Sequence, residues 1–168
     1  AHWRNSSSSS VAVGLGSLEY NSANNNTAVG YQSASSNTSG TEITAIGYQA
    51  LYANSTGNNN TAIGTNALYQ NTTGVGNTAN GAYALRLTQT GNYNTANGYN
   101  ALYYNSTGSN NTAIGQSALL FNTASNNTAV GFEAGFSNTS GANIVAIGYQ
   151  ALNRNTTGSS NVAIGYQA

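Results

Sequence analysis

The chain has no Cys, no Pro and no Met, and its only charged or titratable residues other than Tyr are three Arg, three Glu and one His; Lys and Asp are absent. Each gap excludes something. Without Cys there is no disulfide and no thiolate metal site, and the redox compartment stays open. Without Lys, and with three Arg in 168 residues, no basic surface exists to neutralise phosphates, so no nucleic-acid partner is expected. No run of eighteen apolar residues occurs, so no membrane-spanning helix and no membrane insertion are expected. The chain does not begin with Met, which marks a processed chain or a fragment, and no signal peptide is recognisable at its start.

Asn, Ser, Thr and Gly make up most of the rest, a composition that by itself suggests disorder. Twelve Tyr and a regular scatter of Ile, Val and Leu argue for order instead. Aligned on the Gly that closes each Ala-x-Gly, the repeat is marked by Gly14, Gly30, Gly47, Gly64, Gly81, Gly98, Gly115, Gly131, Gly148 and Gly165, at intervals of 16 or 17 residues. A fixed period of this length signals a repeat architecture. The consensus is Asn-Thr-Ala-Ile-Gly-Tyr-Gln-Ala-Leu-Tyr-x-Asn-Thr-Thr-Gly-x-Asn.

The two short intervals, before Gly30 and Gly131, lose one residue at the Gly of the polar segment ("NSANNNT", "NTASNNT"). A turn tolerates that loss, whereas a strand would flip every side chain beyond it. Asn-Thr-Thr-Gly-x-Asn is therefore read as a loop and Thr-Ala-Ile as a strand, with a second strand expected at Gln-Ala-Leu-Tyr. The unit is too short for two helices, and no 3.6-residue period is present. The expected fold is all-β, a parallel β-roll or β-solenoid of about ten coils over residues 11–168. Coils about 4.8 Å apart would make a rod on the order of 45 Å long. Residues 1–10 are set apart as a tail or linker, with Trp3 and the Ser run as an arm or spacer.

Stacked coils place equivalent residues in columns. Ala precedes every marker Gly; Val or Ile lies between them in eight coils, with Ile46, Ile63, Ile114, Ile147 and Ile164 assigned to core or interface. Thr, or Val at 11, 145 and 162, precedes the Ala. Leu51, Leu68 and Leu102 belong to a second apolar column assigned likewise to core or interface. Strand side chains alternate faces, so Thr and Ile share one face and Ala takes the other. A thin coil buries one face only, and the second apolar face calls for a neighbouring chain; the plainer alternative is an Ala face left wet. Asn54, Asn71, Asn105 and Asn155 lie in an Asn column and also head Asn-x-Ser/Thr sequons, which makes them candidate glycosylation sites. Gly40, Gly57, Gly74, Gly91, Gly108, Gly141 and Gly158 are expected at positive φ in the turn. Asn80 and Asn97 interrupt the Ile column in successive coils. Buried, they would have to bond each other, which reads as a polar rung or register device, with a ligand-binding rung as the sharper alternative.

"NNTAIGTNAL" and "SNVAIGYQA" resemble the YadA-like head repeats of trimeric autotransporter adhesins and related repeats in bacterial and phage tail-fibre-domain proteins. The resemblance covers Ser10 to Ala168. It implies a left-handed parallel β-roll, a homotrimer, and a role without catalysis as a structural or adhesive segment of a fibre on a cell or virion surface. The coils are slightly longer than those of typical adhesin heads, and no heptad stalk, membrane-anchor barrel or chaperone-like peptidase lies within the 168 residues.

No catalytic, metal-ligating or cofactor-binding residues are assigned. His2 stands alone, and Glu19, Glu42 and Glu133 fall at different repeat positions, so no acid/base pair shares a rung. Gly14 to Gly16 lack the strand-helix context of a phosphate cradle. Tyr and Phe form partial columns, suited to stacking within the rod or to contact with a surface protein or glycan. Two alternatives stand beside the fibre: an end-to-end extracellular filament, glycosylated or not, and an ice-binding solenoid using the Thr column from Thr27 to Thr128.

Overall fold

The computed structural model describes residues 9–168. The segment assigned to a tail falls largely in residues 1–8, with His2 and Trp3, outside the described residues.

β-branched residues on either side of a small one favour extended backbone, and each repeat contributes one three-residue strand. These are β1 (Val11–Val13), β2 (Thr27–Val29), β3 (Thr44–Ile46), β4 (Thr61–Ile63), β5 (Thr78–Asn80), β6 (Thr95–Asn97), β7 (Thr112–Ile114), β8 (Thr128–Val130), β9 (Val145–Ile147) and β10 (Val162–Ile164). They form one parallel sheet in chain order, with Ala opposite Ala at every step. The molecule is thus a β-solenoid, and among the described residues it has no helix. Gly stops each strand: the ten marker glycines have φ between 121° and 141°, which side-chain-bearing residues avoid. A Cβ on Gly47 would also stand 2.6 Å from the Gly64 carbonyl oxygen of the next coil.

The Gln-Ala-Leu-Tyr segment is not a second strand. It is a run of turns in which the residues two and four past the Gly are left-handed, as at Gln49 (φ 51°) and Leu51 (φ 54°). Left-handed backbone disfavours residues with a Cβ, but here two gains offset it. Leu51 is fully buried, and the peptides bond to both neighbouring coils. Gln49 N–H donates to the Tyr31 carbonyl at 2.9 Å, and Leu51 N–H to the Ala67 carbonyl at 2.9 Å. A pleated strand would turn Leu51 and Ala50 to opposite faces; the turns let both point inward, where both are fully buried.

The interior is narrow: the strand Ala, the turn Ala and Leu, and two columns of Asn. The Ala column is buried from Ala28 to Ala146, so the alternative of a wet Ala face is removed. One Asn column bonds to itself, Asn37 Nδ2 donating to Asn21 Oδ1 at 2.6 Å, Asn54 to Asn37 at 2.7 Å and Asn71 to Asn54 at 2.8 Å. The other, immediately before each strand, closes the polar turn. Asn77 Nδ2 donates to the Gly91 carbonyl at 2.8 Å, while its Oδ1 accepts from Asn94 N–H at 3.0 Å.

The polar-turn glycines differ from expectation. Gly40, Gly57, Gly74, Gly91, Gly108, Gly141 and Gly158 are not at positive φ; the left-handed residue stands two places later, as at Asn59 and Asn110 (both 58°). Glycine is needed for close approach, because a Cβ on Gly57 would meet first the Gly74 carbonyl oxygen of the next coil, and would also lie 2.6 Å from Asn54 Oδ1 and 2.8 Å from Asn71 Nδ2. The Asn ladder runs where that side chain would be.

After each short turn the core is recomposed. Ala34 and Gly135 stand in the Leu column, and Ile43 and Ile144 replace the pre-strand Asn of the coil that follows. Ile43 and Ile144 are buried, and a Cβ on Gly135 would lie 3.7 Å from Ile144 Cδ1. The longer side chain at one column fills the space vacated at the other.

Candidate functional site

Two surfaces could meet a partner. The first is the outer wall of the sheet. With Ala turned inward, the residues at both ends of each strand turn outward: Ile46, Ile63 and Ile114 are 39%, 38% and 41% exposed. Ile147 is half-buried, and Ile164, in the last coil, is exposed. The Ile column therefore forms no part of the interior core, whereas Leu51, Leu68 and Leu102 do. The Thr column lies on the same wall, half-buried to exposed, in register from Thr27 to Thr128.

Asn80 and Asn97 pair in register at the middle of this wall. Both are exposed, so they carry no burial cost, and no hydrogen bond joins their side chains. The expectation that they satisfy one another inside the rod is corrected. They divide the wall's Val/Ile column into two apolar stretches.

The second surface is the aromatic face formed by the turn segment. Tyr31 stacks on Tyr48 (centroids 5.5 Å apart, planes at 11°), Tyr52 on Tyr69 (5.2 Å, 8°), and Phe132, Tyr149 and Tyr166 form a triple stack. These stacks are coil-to-coil stabilisers, since offset or parallel ring pairs add to simple area burial. Beside them runs an amide ladder at the left-handed position after the Gly: Gln49 Nε2 donates to Gln32 Oε1 at 2.8 Å, and Gln150 Nε2 to Glu133 Oε2 at 2.7 Å.

This regularity fails in one region. Tyr83 replaces the ladder amide, and Asn66 Oδ1 is left buried without a donor. Thr88 replaces the inner Asn, and Asn71 Oδ1 is left in the same state. Arg86 takes a place in the aromatic column, its guanidinium carbon 5.4 Å, 6.0 Å and 5.6 Å from the ring centres of Tyr69, Tyr83 and Tyr103. One of its terminal nitrogens donates to the Tyr103 hydroxyl at 2.8 Å, while its Nε is buried without an acceptor. Among the described residues the buried side-chain atoms without a partner are those three and Asn105 Oδ1, all between residues 66 and 105.

The sequon asparagines Asn54, Asn71 and Asn105 are fully buried. Their Nδ2 atoms, to which a glycan would be joined, donate to the carbonyls of Gly57, Gly74 and Gly108. Asn155 is half-buried and its Nδ2 is engaged in the same way, with Asn138 and Gly158. A glycan on any of them requires the coil to open. Among the described residues no three His, Cys, Asp or Glu side chains gather as a metal site would require. Among the described residues no helix is long and apolar enough to cross a membrane.

Sequence reasoning missed the pre-strand Asn as an inward position. The signal was its replacement by Ile43 and Ile144, because a column that exchanges Asn for Ile is more readily an interior one. The chain matches no protein-family profile, no curated protein and no solved structure.

Proposed function

We propose that the protein is a non-enzymatic structural and adhesive segment of a surface fibre, extracellular or on a virion, in which copies of the β-solenoid associate as a homotrimer through the outer wall. One observation carries this reading: a ten-strand sheet whose outward side chains are largely Val, Ile and Thr, with Ile46, Ile63 and Ile114 more than a third exposed. Apolar stretches of this kind, one on each side of Asn80 and Asn97, are unusual on a free monomer and mark an interaction surface. A net charge of zero removes the long-range repulsion that would oppose self-association. The resemblance to YadA-like head repeats points the same way and supplies the number three and the left-handed sense of winding.

The test is the mass of the isolated chain by sedimentation equilibrium. A discrete trimer is expected, and Ile63→Asp with Ile114→Asp should dissociate it while leaving the far-ultraviolet spectrum of the fold unchanged. A chain that stays monomeric at every concentration refutes the reading, and open-ended polymers would favour the end-to-end filament instead. The in-register Thr column on the same wall favours a second reading, ice binding, which predicts thermal hysteresis; freezing behaviour no different from that of a neutral control protein removes it.

A further inference from the structure

We propose that the irregular middle of the rod holds a binding site for a neutral saccharide, a reading that rests on the adhesive role and gives it a ligand class. The region already described breaks three column rules at once, at Tyr83, Arg86 and Thr88, and strands the buried polar atoms of Asn66, Asn71 and Arg86. Such departures cost stability, and natural folds concentrate them at functional sites. Of these residues Tyr83 borders a surface depression of about 410 Å³, whose lining also includes Tyr99, Asn100, Tyr103, Tyr104 and Phe121, within the range of small-ligand sites; Arg86 lies behind it, against Tyr83 and Tyr103.

Tyr104 and Phe121 still stack face to face across coils (5.1 Å, 14°), but the other ring pairs there depart from the stacking of the rest of the aromatic face. Tyr83 meets Tyr99 edge-on (5.9 Å, 85°), Tyr103 is tilted 58° to Tyr104, and Phe121 meets Phe136 at 89°. The Tyr104–Phe121 stack covers one face of each ring, whereas the edge-on and tilted pairs leave ring surface uncovered on their other sides. Tyr99, Tyr104 and Phe121 are 50%, 44% and 38% exposed. The column position ahead of Tyr99 is filled by the small Thr65 and Ala82, which makes room beside the ring.

The chemistry of the lining selects the ligand. No acid or base lines the depression, and the Arg86 charge is held among three Tyr rings with a hydrogen bond to Tyr103, so the ligand is uncharged. Aromatic faces supply an apolar platform, and the Tyr hydroxyls and the Asn100 amide supply donors and acceptors at its rim. A sugar ring has the matching form, an apolar C–H face with hydroxyls around its edge. An extended peptide would look for free backbone groups to add a strand, but the N–H groups of Asn100, Leu102 and Tyr104 already donate to the carbonyls of Ala82, Ala118 and Leu120 in the coils on either side.

The experiment uses the full chain and an immobilised panel of neutral hexose and N-acetylhexosamine oligosaccharides, with sialylated and sulfated saccharides and Pro-rich peptides alongside. Binding of one or more neutral saccharides is expected, weakened by up to about tenfold, on the scale of one lost aromatic contact, by Tyr104→Ala and by Phe121→Ala. Tyr149→Ala, in the stacked column far from the depression, should leave binding unchanged. In the unaltered chain the same saccharide should shift the ring resonances of Tyr99 and Tyr104, a readout independent of how any variant folds. No neutral-saccharide binding, binding confined to acidic saccharides or peptides, or binding that neither substitution weakens overturns the proposal. Sedimentation of the same samples reports on the fibre separately: a trimer that ignores sugars sinks the site alone, and a monomer that binds them sinks the trimeric fibre alone.

Discussion

Replacing Thr88 by Asn should stabilise the protein, and the size of the effect can be worked from the neighbouring coils. Thr88 is fully buried in the inner amide column. In a coil with a full-length turn and an Asn in the coil before it, the column's Nδ2 donates twice, to the Oδ1 of that preceding Asn and to the Gly carbonyl three residues on, as Asn54 does to Asn37 (2.7 Å) and Gly57 (3.0 Å). At position 88 both roles are vacant: Asn71 Oδ1 has no donor, and the Gly91 carbonyl accepts from Asn77 alone among side chains, where Gly74 accepts from both Asn60 and Asn71. The new Oδ1 would in turn accept from Asn105 Nδ2, whose only side-chain hydrogen bond is to the Gly108 carbonyl at 2.9 Å.

Three hydrogen bonds at about 1 kcal/mol net each are gained. One is lost, from the Thr88 hydroxyl to the Asn105 carbonyl at 2.7 Å, together with a buried methyl worth about 0.8 kcal/mol. Thr and Asn have nearly the same volume, so repacking adds little. The balance is a gain of about 1–2 kcal/mol, which for a chain of this size corresponds to a rise in Tm of roughly 2–8 °C. Thermal melts of the parent and Thr88→Asn, followed by far-ultraviolet circular dichroism, measure it. Asn54→Thr, the reverse change in a regular coil, should lower the Tm. A Thr88→Asn Tm at or below the parent's would mean that the orphaned Asn71 oxygen costs nothing, and the ladder reasoning would fail.

Two further predictions probe the backbone and the recomposed core. Gly47→Ala and Gly57→Ala should each cost at least about 2 kcal/mol in urea unfolding, the first from a φ of 136° and the second, with no φ penalty, from collision with the Gly74 carbonyl and the Asn ladder; a mild Gly57→Ala would disprove the close-approach explanation. Gly135→Leu should overpack against Leu119 and Ile144, and Ile144→Asn should leave a void, each destabilising by about 1–3 kcal/mol. The double variant restores the composition of the common coil and should lose less than the sum, so strict additivity in the double-mutant cycle would show that the two columns do not compensate.

The repeat, the strand and the all-β solenoid were legible because stacking forces every column to solve the same steric problem, and a one-residue deletion shows which segment is a turn. Gln49-Ala50-Leu51-Tyr52 was misread because a seventeen-residue coil suggests two strands and two turns, while left-handed Gln49 and Leu51 depend on bonds to two neighbouring coils that no local pattern announces. The turn glycines were legible as necessary but not for the right reason, since Gly57 responds to Asn54 and Asn71 rather than to its own dihedral angle. Asn80 and Asn97 were visible as an interruption, but one residue's alternation cannot say which face is wet. The aromatic depression was the least legible feature. Tyr83, Arg86 and Thr88 look like single lapses in the sequence, and only the coiling sets Tyr83 against Tyr99 and Tyr104 against Phe121.

The solenoid gives every storey the same footprint: a strand above a strand, an amide above an amide, a glycine above a glycine. Residues 23–51 and 124–152, each containing a short turn's end and the Ile that follows it, read as copies of one longer block. Recombination between such blocks inserts or removes whole floors without disturbing those that remain, since each rests only on its neighbours. Length would then be adjusted in steps of about 4.8 Å, and a gene of this kind can change how long its product is well before it changes what the product is made of.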